Sequence, residues 1–209
     1  MRTHRLAVFA LIGLGALAMA IVGCYDGNST AETEAPVFLS VDLPSVDPDV
    51  IMAEGLDVTI ATMTISSHAK SPSVTLSTQQ DVVLDRWVIT CIRSDGGTVA
   101  SPQWQTAFTV YVPASGSANV LNARIFPAEN FLQAPLYQLF PGNSGFDKET
   151  GNTNIRQILH IEAFGKTVAG KAISVTFDVN YNFSFLGTGV SPTPTPTPVP
   201  PTPTPTPRG

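Results

Sequence analysis

The most regular hydrophobic pattern in the chain lies near its C-terminal end, where apolar and polar side chains alternate. The apolar positions are Ile173, Val175, Phe177, Val179, Tyr181, Phe183 and Phe185. Successive side chains of a β-strand point to opposite faces, so this period of two places the apolar side chains on one face. The segment Ile155–Phe164 precedes this one, and Gly165–Gly170 joins the two. The sequence therefore predicts a β-hairpin.

Shorter segments rich in Val, Ile, Thr and Phe occur from Val37 onward, separated by clusters of Pro, Gly, Asn and Asp. They predict strands at Val37–Leu43, Asp57–Ile65, Ser73–Ser77, Val82–Arg93, Ala107–Val112 and Val120–Ile125. With the hairpin this gives about eight strands in residues 37–187, as in a single antiparallel β-sandwich. The pattern resembles that of immunoglobulin-like domains, whose buried Trp would correspond to Trp87. We therefore expect an all-β domain.

Three stretches between the predicted strands have patterns of other kinds. Ser94–Gly97 (Ser-Asp-Gly-Gly) predicts a tight turn, because Gly tolerates the positive φ that such turns need. In Phe131–Phe140 three leucines follow a helical spacing, which predicts a short helix bent or divided near Pro135. Gly142–Asn154 has no hydrophobic period and is expected to form a long exposed loop.

The C-terminal segment Ser191–Pro207 alternates Thr and Pro almost throughout and holds half of the 18 prolines of the chain. Proline fixes φ and lacks an N–H donor, so neither helix nor sheet is expected, and residues 188–209 are assigned to a disordered tail. Four roles stay open for it. They are a spacer through a wall layer, an acceptor for O-glycosylation, a ligand for a proline-binding partner, and an inert solvated tail.

The N-terminal residues have the pattern of an export signal. Arg2, His4 and Arg5 precede the uncharged run Leu6–Ala20, which is shorter than the about 20 apolar residues that span a bilayer. The run is followed by Ile21–Cys24 (Ile-Val-Gly-Cys). This string resembles the lipobox of bacterial lipoproteins, in which an aliphatic, a small or β-branched and a small residue precede a cysteine.

The resemblance implies a signal peptide at residues 1–23, cleavage before Cys24, and diacylglycerol on the Cys24 sulfur with fatty acids such as palmitate. Each buried CH₂ contributes about 0.8 kcal/mol, so several acyl chains hold a protein at a membrane. Cys24 is thus the predicted lipidation site, and residues 24–36, which are small, polar and acidic, are a predicted tether. Tyr25 stands where an Asp favours inner-membrane retention in some Gram-negative lipoproteins, which favours the outer membrane.

The balance of charge argues against a nucleic-acid partner. Loss of residues 1–23 would change the formal charge from −5 to about −7. Nucleic-acid binders neutralise phosphates with clustered cations, whereas Arg86, Arg93, Arg124 and Arg156 are isolated along this chain.

The cysteines and histidines offer little catalytic or metal-binding chemistry. Lipid on Cys24 would leave Cys91 without a partner, so no internal disulfide is expected. Cys91 lies in a predicted apolar strand and is expected to be a small buried hydrophobe rather than a thiol nucleophile. His68 and His160 are too few for a zinc cluster, and no metal or cofactor is predicted. His160 is expected to be solvated.

One string resembles a catalytic motif. Gly142–Gly145 (Gly-Asn-Ser-Gly) is similar to the serine motif of trypsin-like proteases, and His68 and Asp85 precede Ser144 in the order of that triad. The flanking residues differ from the family, because His68 stands in Ser-Ser-His-Ala and Phe146-Asp147 replaces Gly-Pro. A turn is therefore favoured, and an envelope hydrolase that uses Ser144, or a carboxylate site in the 142–154 loop, is the alternative.

Two acidic loops raise a calcium hypothesis. The first contains Asp42, Asp47 and Asp49, and the second contains Asp147, Glu149, Asn152 and Asn154. Calcium takes six to eight oxygen ligands, but neither loop has the EF-hand pattern, so solvated turns are favoured.

Taken together, the sequence predicts a non-enzymatic lipoprotein of the bacterial cell envelope. Its β-domain would serve binding, adhesion or envelope assembly, with an envelope protein or glycan as the partner. A purely structural protein that spans the wall through its Thr-Pro tail is a further alternative.

Overall fold

The computed structural model describes residues 34–43 and 46–186. Strands make up 52% of the described residues, and no helix among them reaches seven residues. This confirms the predicted all-β class. The predicted signal peptide, Cys24, most of the tether and the Thr-Pro tail lie outside the described residues.

The larger sheet has the strand order β2-β8-β7-β4-β5. Its strands are β2 (Asp49–Ile51), β4 (Val82–Arg93), β5 (Trp104–Val112), β7 (Asn154–Thr167) and β8 (Ala172–Ser184). Neighbouring strands are antiparallel except at one edge, where β2 pairs parallel to β8.

The smaller sheet has the order β1-β3-β6 and is antiparallel throughout. Its strands are β1 (Val37–Asp42), β3 (Val58–Ala69) and β6 (Ser117–Phe126). The buried positions of β3 change from Val58 and Ile60 to Met63 and Ile65, so the alternation shifts by one residue within the strand.

Buried side chains of both sheets belong to one apolar cluster. Trp87 on β4 is 2% exposed and stacks on Phe108 of β5, with ring centroids 4.1 Å apart. Met63 and Ile65 are two of the residues of the smaller sheet that belong to this cluster. Removal of this apolar surface from water is the main force that stabilises the fold.

The predicted hairpin is confirmed, since β7 and β8 pair antiparallel along their length. Gly165, however, lies within β7 rather than in the connection. A Cβ atom at Gly165 would stand 2.2 Å from the Val83 carbonyl oxygen, so this close approach of two strands requires glycine. The turn instead uses Gly170, at φ +83°.

Two strand predictions need correction. Ser73–Ser77 is not a strand; the Ser77 hydroxyl accepts a hydrogen bond from the Gln79 N–H at the start of a short 3₁₀ helix, Thr78–Gln80. The strand β2 was missed, because three residues are too few to show a period of two. The remaining predicted strands are present, and β3, β5, β6 and β7 extend beyond their predicted bounds.

The predicted helix at Phe131–Phe140 consists of short 3₁₀ pieces, Ala128–Leu132 and Leu136–Leu139, on the two sides of Pro135. Proline cannot continue a helix through its own position, which accounts for the division. Two further 3₁₀ turns occupy Met52–Glu54 and Pro141–Asn143. Of the three leucines that suggested the helix, Leu136 and Leu139 are buried, whereas Leu132 is 72% exposed.

Candidate functional site

The predicted catalytic triad is not assembled by hydrogen bonds. His68 lies on β3 of the smaller sheet, where its Nε2 atom is 2.9 Å from the Ser40 hydroxyl. Asp85 lies on β4 of the larger sheet, and Ser144 follows the 3₁₀ turn Pro141–Asn143. Among the described residues no hydrogen bond joins any two of the three side chains.

Cys91 and His160 have separate environments. Cys91 is a buried free cysteine on β4, and burial raises the pKa of its thiol to about 12. A thiol with this pKa forms little thiolate at neutral pH and is a weak nucleophile. The side chain of His160 is 38% exposed, and its Nδ1 atom is 2.6 Å from the Asp178 carboxylate on the neighbouring strand.

The second acidic loop is exposed over most of its length, as predicted, but within it Asp147 is fully buried. Its Oδ2 atom accepts a hydrogen bond of 2.7 Å from Arg93 Nη2, and the Arg93 side chain is 2% exposed. Arg93 Nε also donates to Asp95 Oδ1 at 2.7 Å. Gly97 leaves space for the guanidinium group, since a Cβ atom there would be 2.3 Å from Arg93 Cζ.

Glu149 completes the link between the 142–154 loop and the turn after β4. Its carboxylate accepts hydrogen bonds from the N–H groups of Thr98 and Val99, at 2.8 and 3.0 Å. We call Arg93, Asp95, Asp147 and Glu149 the Arg93 cluster. The carboxylates of the Arg93 cluster make their hydrogen bonds and salt bridges within the fold. They therefore connect the 142–154 loop to the turn after β4.

Opposing effects set the pKa values in the Arg93 cluster. Burial alone would raise the pKa of Asp95 and of Asp147. The Arg93 guanidinium hydrogen-bonds to both, Thr150 donates to Asp147, and the N–H groups of Arg156 and Gly97 donate to Asp95. The net result is a pKa below the ordinary value for each carboxyl group, so both are ionised at neutral pH.

A cleft of about 270 Å³ opens where the two sheets meet at the β2 edge. It is lined by β2, by the 3₁₀ turn Met52–Glu54 and by the first residues of β3. The chain crosses here from the larger to the smaller sheet, turning at Gly55 with φ +64°. We call this feature the acidic cleft, because Asp47, Asp49, Glu54 and Asp57 all contribute to its lining.

The carboxylates of the acidic cleft differ in their partners. Asp57 forms a salt bridge with Arg124, whose Nε atom lies 2.7 Å from Asp57 Oδ2, and it accepts a hydrogen bond from the Ala128 N–H at 2.9 Å. Asp49 accepts from Asn182 Nδ2 at 2.8 Å, and Asp47 accepts from the Asp49 N–H at 3.0 Å. Among the described residues, no cation forms a salt bridge with Asp47, Asp49 or Glu54.

Tyr181 closes the inner end of the acidic cleft. It projects from the inner face of β8 and is 3% exposed, yet it belongs to the cleft lining. Its hydroxyl oxygen is buried and has no hydrogen-bond partner among the described residues. Burial and, second, the negative charge of Asp47, another residue of the cleft lining, raise the pKa of Tyr181.

The sequence shows part of the lining of the acidic cleft, but only as an acidic loop. It groups Asp47 and Asp49 with Asp42 rather than with Glu54 and Asp57. It also placed Tyr181 on the inward face of a strand. A tyrosine among inward Ile, Val and Phe residues was the available signal, because a buried hydroxyl normally has a polar partner.

The first acidic loop gives no support to the calcium hypothesis. Among the described residues, no group of three or more His, Cys, Asp or Glu side chains is arranged to hold a metal ion.

Within residues 34–43 and 46–186, no helix has the length and apolar character needed to cross a membrane.

The comparisons with known proteins give no relative for the chain. No family model, no curated protein and no solved structure matches it.

Proposed function

We propose that the chain is a lipoprotein of the bacterial cell envelope, anchored through lipid on Cys24. The string Ile21–Cys24, preceded by Arg2, Arg5 and an apolar run, is the observation that carries this proposal. Such an anchor would require residues 37–187 to act as an exported domain, and a β-domain suits that role.

The arrangement of the exported part supports presentation of the domain at the membrane. Twelve residues, Tyr25–Pro36, lie between Cys24 and the first residue of β1. A chain of that length reaches at most about 40 Å when fully extended. One apolar cluster shared by two sheets supports an immunoglobulin-like β-sandwich as the unit that is presented.

We propose that the domain binds a partner and catalyses no reaction. Ser144 has no hydrogen bond to a general base among the described residues, and the thiol pKa of Cys91 opposes nucleophilic chemistry. The acidic cleft supports binding, because it presents carboxylates that form no salt bridge within the described residues. The partner is then a protein of the cell envelope.

Metabolic labelling with an alkyne analogue of palmitate tests the anchor. Cells that express the wild type and a Cys91→Ala control are expected to yield a labelled protein shortened by residues 1–23. The Cys24→Ala variant should carry no label and keep the full precursor mass. Equal labelling of Cys24→Ala and wild type would overturn the proposal.

A further inference from the structure

We infer that the acidic cleft binds a basic side chain, lysine or arginine, of a partner polypeptide. The charged end of that side chain would lie among Asp47, Asp49 and Glu54, with the Tyr181 hydroxyl at the inner end. The inference deepens the binding role proposed above and rests on that role, since it names the chemistry of the partner.

The charges of the acidic cleft favour a cation. Asp47, Asp49 and Glu54 are exposed, and their hydrogen bonds come from neutral donors where they have any. Asp57 shows the same recognition within the chain, because it forms a salt bridge with Arg124 and accepts a hydrogen bond from Arg124 Nη2. The ammonium or guanidinium group of a partner would be the cationic partner of Asp47, Asp49 and Glu54, which form no salt bridge among the described residues.

The Tyr181 hydroxyl gives an independent reason for a ligand. A buried hydroxyl without a hydrogen-bond partner is costly, and most such groups in folded proteins are satisfied. Its oxygen can accept a hydrogen bond from a cationic N–H group. Asp47 and Tyr181 both belong to the lining of the acidic cleft, so a cation bound there lies near both residues.

The apolar part of the lining favours a side chain over an inorganic ion. Val46 and Val50 are half-buried in the cleft, and Leu56 is 65% exposed at its rim. Lys and Arg place their aliphatic stems along such surfaces and keep the charged end among polar groups. The volume of about 270 Å³ lies just below the range for drug-sized ligands and suits a single side chain.

Ligand-detected NMR on the purified full chain in detergent micelles tests the inference. The probe is Nα-acetyl-lysine methylamide, and the matched neutral probe is Nα-acetyl-norleucine methylamide. Saturation transfer from protein to the lysine probe should be clear and should weaken as salt screens the carboxylates. The norleucine probe should bind at least about tenfold more weakly, as loss of one charge-assisted contact predicts.

Three variants locate the binding. Asp47→Asn combined with Asp49→Asn should weaken the lysine probe about fivefold, since each exposed pair contributes modestly. Tyr181→Phe should weaken it about threefold and still fold, because the hydroxyl has no partner in the described fold. Asp85→Asn, at an exposed carboxylate of the larger sheet, is the control and should bind as the wild type does.

Three outcomes would overturn the inference. They are equal binding of the two probes, equal weakening by Asp85→Asn, and displacement of the lysine probe by millimolar calcium at constant ionic strength, which would indicate an inorganic cation site. The measurement needs no lipid on Cys24, so its failure would leave the labelling result unchanged. Failure of palmitate labelling would likewise leave the binding result intact.

Discussion

Cys91 illustrates how a strand position determines the chemistry of a side chain. It lies on the inner face of β4 with 7% of its surface exposed, and burial raises the pKa of its thiol to about 12. Thiolate is the reactive form, so few Cys91 side chains are reactive between pH 7 and pH 8.

We therefore predict that Cys91 resists alkylation in the folded protein. In the Cys24→Ala full chain, where Cys91 is the remaining cysteine, iodoacetamide should modify it slowly at pH 8 and rapidly after unfolding in guanidinium chloride. Mass spectrometry over time gives both rates. Similar rates in the folded and unfolded chain would contradict the assigned burial.

Alternation predicted which residues point inward, but it did not predict which polar residues are buried. The inward positions of Tyr181 and Cys91 follow from a period of two along β8 and β4. The burial of Asp147 depends on Arg93, which is 54 residues away in sequence. Such long-range pairing leaves no local pattern, so the burial of Asp147 within an otherwise exposed loop was not predicted.

At the level of elements, the Arg93 cluster connects the turn after β4 to the 142–154 loop. Arg93→Met keeps much of the side-chain volume but leaves the buried Asp147 and Asp95 without a cation. Loss of one partner of a buried ion pair costs about 3–5 kcal/mol. We predict a decrease of that size in the free energy of unfolding, measured with urea at pH 7.

Arg156→Met is the matched control, because this arginine is exposed on β7 and its side chain has no hydrogen bond or salt bridge among those described. It should change the free energy of unfolding by less than about 0.5 kcal/mol. Equal effects of the two substitutions would show that the Arg93 cluster does not stabilise the fold.

The Arg93 cluster also predicts a pH dependence. The pKa values of Asp95 and Asp147 lie below 3.8 in the folded state. The unfolded state therefore binds more protons than the folded state near and below pH 4. The stabilisation that these two carboxylates provide is present above pH 4 and is lost as the pH falls through their folded-state pKa values. Wild-type unfolding free energy should thus decrease steeply below about pH 4.

Arg93→Met should respond to pH differently. Without the cation, burial raises the pKa of both carboxyl groups, so protonation relieves the cost of their charge. The deficit of the variant relative to the wild type should be largest near pH 7 and smaller near pH 3, as urea titrations at each pH can show. A constant deficit would contradict the assigned charges.

The sheet elements were predictable where each strand carries its own pattern. β4 and β8 are long and regular, and their boundaries were close to the prediction. β2 is short, and it depends on pairing with Asn182–Ser184 of β8, which the sequence does not display. The acidic cleft lies beside β2, so its full set of residues was not predictable either.

At the scale of the whole molecule, the proposal joins a lipid anchor, a two-sheet β-domain and a binding cleft at the edge of that domain. The anchor is predicted from sequence alone, whereas the cleft is assembled by the fold from β2, β3 and β8. The two parts can fail separately, and the proposed anchor would determine where the domain acts.

Mass spectrometry of the mature protein from its native envelope tests the central claim most directly. The proposal predicts that Cys24 is the first residue and carries a diacylglyceryl group on its sulfur. An intact Met1, cleavage at another position, or an unmodified Cys24 would contradict it.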